Sequence, residues 1–155
     1  MRVCGISYPL KQHDNNLLSF NINNKLHLFD TSTRFNINLL NPNLKQNLKD
    51  IEDDYLKVQH LPTGCLLVEK DVFFQLVLCA DIKSYQENDK TIFNFFDCRV
   101  YNNKYLSEDY SFSQYCIDSG INNYCFVKGN IGHIGYFNYK GNLKECIKKY
   151  YLLNK

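Results

Sequence analysis

The sequence lacks the patterns that place a chain in several familiar classes of protein. It has no Cys-x-x-Cys pair, which argues against a zinc ribbon or a thioredoxin-type site. It has neither a phosphate-binding Gly-x-x-x-x-Gly-Lys loop nor the Gly-x-Ser-x-Gly elbow of serine hydrolases. No apolar run approaches the roughly 20 residues of a membrane-spanning helix. Residues 1–18 contain no continuous apolar stretch, so we expect no secretory signal and no membrane span.

The chain also lacks a large excess of positive or negative charge. The net charge is +2 and the isoelectric point is about 8.1, whereas nucleic-acid-binding domains usually have a clear basic stripe and a value above about 9. We therefore do not expect nucleic acid as a partner. Tryptophan is absent as well, so twelve tyrosines and eleven phenylalanines make up the aromatic content.

Cysteine is abundant, but its spacing is irregular. Most cysteines lie in apolar runs, where the thiol acts as a small apolar side chain, and their number is odd. This usage predicts free thiols in a reducing, cytoplasmic compartment. The seven positions are Cys4, Cys65, Cys79, Cys98, Cys116, Cys125 and Cys146.

Metal-binding patterns are equally sparse. The four histidines are far apart in the chain, and the acidic run at 50–54 has neither the glycine nor the oxygen spacing of a calcium loop. We expect no metal and no cofactor.

Alternating apolar residues predict several strands and an α+β fold. The candidate strands are residues 2–8, 17–30 as a hairpin, 34–40, 66–68, 72–82, 91–101, 124–128 and 133–139. Residues 72–82 are apolar on both faces, as in a central strand, although a buried helix over 65–78 fits the same run. Residues 102–120 are polar and aromatic and read as a long loop. The prediction is one compact domain over 1–155 with a mainly antiparallel sheet of six or more strands.

Two helices are predicted from apolar spacing and end signals. The first runs near 42–57, with Asn41 as its cap, Pro42 at the first helical position and apolar residues at 44, 48, 51 and 55. The second runs near 142–153, where Asn142 and Glu145 have the spacing of a capping box. Together these helices are expected to cover one face of the sheet.

An aromatic-rich stretch is the first candidate for a functional surface. Tyrosine and phenylalanine provide large contact areas at protein interfaces. Only Lys104 lies within the stretch, and two acidic residues accompany it, so stacking on nucleic acid is disfavoured. We expect a protein partner to contact this surface, which comprises Tyr101, Tyr105, Tyr110, Phe112 and Tyr115.

Residues 133–141, HIGYFNYKG, provide the second candidate. This stretch resembles the histidine strand of NlpC/P60-type, papain-like cysteine hydrolases, in which a histidine precedes a small residue, alternating apolar residues and a glycine turn. The resemblance implies that His133 acts as the base for an upstream cysteine nucleophile, either Cys79 or Cys65. The family's Asp-Cys-Ser-Gly pattern is replaced by Leu-Cys-Ala-Asp around Cys79.

The sequence thus predicts a small intracellular binding or accessory protein that acts through protein contacts. A papain-like cysteine hydrolase is the alternative. The oligomeric state and the identity of any partner or substrate are left open.

Overall fold

A computed structural model describes residues 1–13, 33–134 and 138–153. Within these ranges the chain forms thirteen strands and four helices. In chain order they are β1 Val3–Gly5, β2 Pro9–His13, β3 Thr33–Phe35, β4 Asn38–Leu39, α1 Leu44–Lys49, β5 Tyr55–His60, β6 Leu66–Val68, α2 Lys70–Cys79, β7 Ser84–Glu87, β8 Lys90–Phe93, β9 Arg99–Tyr101, β10 Lys104–Leu106, α3 Glu108–Asp118, β11 Asn123–Phe126, β12 Asn130–Ile134, β13 Asn138–Asn142 and α4 Leu143–Leu153.

The largest sheet has five strands in the order β4-β5-β11-β1-β6. Its central pair, β1 and β11, is parallel, and the other neighbours are antiparallel. Four further ladders have two strands each: β2-β3, β7-β8, β9-β10 and β12-β13. The α+β prediction is confirmed, but a single sheet of six or more strands is wrong for the described residues. The hairpin predicted over 17–30 lies outside them.

Tight turns explain why so much of the pairing is local. Three turns have positive φ at both central residues, namely Asp53-Asp54, Asn88-Asp89 and Asn102-Asn103. Such turns match the twist of the two strands that they join, and Asn and Asp are the side chains that tolerate them best. The turns at 88–89 and 102–103 close the β7-β8 and β9-β10 hairpins between sequence neighbours, whereas the turn at 53–54 closes a single bridge between Glu52 and Tyr55 before β5.

One of these turns also limits the first helix, which is much shorter than predicted. Helix α1 begins after Asn43, whose Oδ1 accepts hydrogen bonds from the backbone N–H groups of Lys45 and Gln46 at 3.0 and 3.3 Å. The chain then turns back at 53–54, and the last residues of the predicted helix, 55–57, begin β5. Leu56 and Val58 are buried in β5 with the period of a strand.

Residues 72–82 do not form the predicted strand. Most of this run is α2, which agrees with the alternative of a helix, although residues 66–68 remain a strand, β6. Val72 and Leu76 are fully buried one helical turn apart, while Phe74 and Leu78 are exposed. The run is therefore apolar on all sides of a helix and is buried on one side only.

The predicted loop over 102–120 is wrong. It consists of β10 and the helix α3, and the strand predicted over 91–101 is divided into β8 and β9. Residues 111–116 of α3 are all buried, including Ser111, Ser113 and Gln114. A helix buried on all sides shows no amphipathic period, so this sequence does not resemble a surface helix.

The C-terminal helix is confirmed. The backbone N–H of Glu145 donates to Asn142 Oδ1 at 3.3 Å, as the capping pattern predicts, and α4 packs against α1. No helix in the described ranges is long and apolar enough to cross a membrane. The core joins the sheet to α2, α3 and α4, and its members include Val3, Val58, Cys125, Val72, Phe112 and Ile147.

Candidate functional site

The cysteines predicted as nucleophiles lie at separate places in the fold. Cys79 is exposed at the end of α2, and Cys65 is partly buried just before β6. All seven cysteines are free thiols. Burial raises the pKa of the Cys116 and Cys125 thiols to about 12, so both are protonated and unreactive near neutral pH.

His133 lies in β12, and its ring contacts the segment that begins β2. The Nδ1–H donates to the carbonyl oxygen of Pro9 at 3.0 Å, and the ring meets the edge of Tyr8 with a centroid distance of 5.2 Å. The ring is thus oriented by a backbone carbonyl, which leaves Nε2 as its basic nitrogen. In the part of the chain that the structure describes, no hydrogen bond joins this ring to Cys65 or Cys79. The Cys–His pair stays a prediction.

The aromatic stretch does not form one exposed surface. Phe112 and Tyr115 are core residues on α3, each less than 5% exposed, so they cannot contact a partner in this structure. Tyr110 is half-buried, and Tyr101 donates its hydroxyl to Asp118 Oδ1 at 3.0 Å. Only Tyr105, 70% exposed, has the free area expected of a contact residue. Helix formation over 108–118 explains this difference from the prediction, because it turns three of the five rings toward the protein.

A buried polar cluster at the end of β5 was not anticipated from the sequence. His60 Nδ1 accepts from Asn38 Nδ2 at 2.9 Å, and its Nε2–H donates to Gln114 Oε1 at 3.1 Å. The ring stacks on Tyr110 at 5.0 Å. Burial lowers the pKa of His60, while the hydrogen bond to Gln114 and the charge of Asp109 oppose this shift. Both ring nitrogens are occupied, so the cluster fits a structural role better than proton transfer.

Arg99 occupies a second cluster, which packs against Tyr115 of α3. Its guanidinium lies 3.6 Å from the centroid of the Tyr115 ring, and its Nη2 is 3.9 Å from Asp118 Oδ2. Such a cation–π contact fixes the arginine against the helix. The hydroxyls of Ser111 and Tyr115 donate to Asp97 beside it, at 3.0 and 3.4 Å. These contacts join β9 and the segment before it to α3.

An apolar groove lies between α2 and β8. It encloses about 350 Å³ and is lined by apolar side chains only: Phe73, Phe74, Val77, Leu78, Phe93 and Phe95. Phe74 is 57% exposed and Leu78 is 84% exposed. If residues 72–82 are read as a strand, no exposed apolar surface is expected there. If they are read as a helix, Phe74 and Leu78 lie opposite the buried Val72 and Leu76.

The rings beneath the groove connect it to the core. Phe73 meets Phe95 edge-on at 5.0 Å and lies 5.9 Å from the buried Phe112, while Phe93 lies 6.2 Å from Phe95. Gln75 fixes α2 on its other side. Its Oε1 accepts from Arg2 Nη1 at 2.6 Å, and its Nε2 donates to the Ser119 carbonyl at 2.8 Å. The groove is therefore formed in the free chain.

Comparisons with protein-family models, with curated proteins and with solved structures gave no significant match to this chain. No group of three or more His, Cys, Asp or Glu side chains among the described residues is placed to hold a metal ion.

Proposed function

We propose that this chain is a protein-binding module that holds a partner protein in the apolar groove between α2 and β8. The main support is the exposure of Phe74 and Leu78 at successive turns of one helix, beside a groove without polar lining. Contiguous exposed apolar surface of this kind marks interaction sites in proteins. The proposal keeps the class of function expected from the sequence and moves the contact surface from residues 101–115 to α2 and β8. Seven free thiols support an intracellular setting.

The loss of affinity expected on replacing Leu78 follows from the burial of its side chain in the complex. Fully burying a leucine or phenylalanine side chain contributes about 1.5–3 kcal/mol, and Leu78 is 84% exposed in the free chain. Replacing it with glutamate removes most of that gain and places a charge in an apolar contact. We therefore expect Leu78→Glu to weaken binding by at least about tenfold, since 1.4 kcal/mol corresponds to a factor of ten.

The test is quantitative affinity capture from a lysate of the source organism, with the wild-type chain, Leu78→Glu and Leu67→Glu as baits. Leu67 is the matched control because it is 73% exposed, lies on β6 and does not line the groove. We expect one protein to be recovered by the wild type and by Leu67→Glu and to be depleted at least tenfold with Leu78→Glu. Equal recovery by all three baits would contradict the proposal, as would a wild-type chain that retains no protein, further copies of the chain itself included.

A further inference from the structure

We propose that the groove is occupied by the same surface of a second copy, so that the chain forms a two-fold symmetric dimer through α2 and β8. This inference rests on the proposed function and names the partner at that site. Three features support a second copy: the shape of the patch, the charges at its ends and the area that it exposes.

The patch contains both a projection and a groove. Val72 and Leu76 point into the core, so Phe74 and Leu78 form the outward row of α2. This row forms part of the wall of the groove, which Phe93 on β8 and Phe95 after it also line. In a two-fold interface the same patch meets itself, and each element contacts its complement on the other copy. A projection next to a groove meets this requirement, because each copy inserts its row into the groove of the other.

The charges at the two ends of α2 are also self-complementary. Lys70 and Asp71 begin the helix, Asp81 and Lys83 follow it, and all four are exposed. A two-fold axis across α2 sets the two helices antiparallel. The beginning of one helix then lies beside the end of the other, so that Lys70 can face Asp81 and Asp71 can face Lys83. A partner with charge of one sign would be repelled by half of these groups.

The exposed area fits a dimer that is weak and exchangeable. With about 200 Å² for a large apolar side chain, Phe74, Leu78 and Phe93 together expose roughly 360 Å². Two copies would remove about twice this area, and the charged ends would bring the total close to the roughly 1,000 Å² of a small specific interface. The net charge of +2 opposes association only slightly. We expect dissociation in the micromolar range.

Sedimentation velocity tests the dimer, with loading from about 1 to about 500 µM. We expect the mass of the wild type and of Leu67→Glu to rise from monomer to dimer over this range. Leu78→Glu should remain monomeric or dissociate at least tenfold more readily, with an unchanged circular dichroism spectrum.

A charge exchange tests the antiparallel arrangement. Lys70→Glu and Asp81→Lys should each weaken the homodimer, because like charges then face each other twice. An equimolar mixture of the two variants should dimerise more than either alone, because every facing pair is again opposite in sign. Equal or weaker association of the mixture would overturn this register.

A chain that stays monomeric at all concentrations would overturn the dimer, and so would a dimer that Leu78→Glu leaves intact. These results are separable from failure of the proposed function. If the monomer still captures a different protein and Leu78→Glu abolishes that capture, only the choice of a second copy is wrong. If it captures nothing, both proposals are wrong. A dimer that dissociates in Leu78→Glu and persists in Leu67→Glu would support the inference.

Discussion

Acidification should destabilise this protein through His60. The ring is 4% exposed and is neutral when Nδ1 accepts from Asn38 and Nε2–H donates to Gln114. A second proton would place an Nδ1–H against the Asn38 amide N–H at 2.9 Å. Since burial lowers the pKa of His60 in the folded chain, the unfolded chain binds a proton first, at about pH 6.5.

The direction and size of the change in stability with pH follow from the difference in proton binding between the folded and the unfolded chain. The stability that comes from keeping His60 neutral is fully present above about pH 6.5 and is lost as the pH falls below it. While only the unfolded chain is protonated, the free energy of unfolding decreases by up to about 1.4 kcal/mol for each pH unit. The loss stops once the pH reaches the lowered pKa of the folded state. Between pH 7.5 and 5.5 the loss from this group is at most about 1.4 kcal/mol, the limit reached if the folded chain binds no proton in this range.

Urea unfolding of the wild type, His60→Gln and His133→Gln at pH 7.5, 6.5 and 5.5 measures this contribution. His60→Gln should be less stable at pH 7.5, because the ring's stacking on Tyr110 is lost, but it should lose less stability on acidification. The difference in stability between this variant and the wild type should therefore become smaller as the pH falls from 7.5 to 5.5. His133→Gln is the control for loss of a histidine side chain that lies outside this cluster. The same pH dependence for the wild type and His60→Gln would refute the reasoning.

Two further predictions test the thiols and the aromatic stretch. Brief alkylation with limiting reagent should label the exposed Cys79 and Cys98 first and the buried Cys116 and Cys125 last. His133→Ala should leave the rates of Cys65 and Cys79 unchanged, and a large decrease at either cysteine, read by mass spectrometry, would instead support the Cys–His hydrolase. Phe112→Ala should lower the free energy of unfolding by about 3–5 kcal/mol, because the side chain is 1% exposed. Tyr105→Ala, at a 70% exposed position, should change it by less than about 0.5 kcal/mol, and comparable losses would contradict these placements.

Features set by neighbours in sequence were predictable. The Asn142 cap depends on residues three apart, and α4 begins where that spacing places it. The strand at 124–128 was also recognised, because Cys125 and Val127 alternate with less buried neighbours. In these segments the local pattern and the tertiary environment require the same structure.

Features set by distant contacts were not predictable. Ser113 Oγ accepts from the backbone N–H of Leu61, and Gln114 accepts from His60, across more than fifty residues of sequence. These bonds allow polar side chains to be buried in α3. A segment with several Ser and Gln residues therefore reads as a loop from the sequence, although it is one of the most buried elements of the described fold.

The buried helix α3 also supports the proposed docking surface from below. Phe112 lies on α3 and contacts Phe73, and Phe73 meets Phe95 on the floor of the groove. Gln75 ties the opposite side of α2 to the carbonyl of Ser119, just after α3. The groove therefore rests on an element that is already ordered, and a partner need not bear the entropic cost of assembling it. It follows that a small apolar area can suffice for micromolar binding. It also follows that Phe112→Ala should weaken association at this surface, although Phe112 itself does not line the groove.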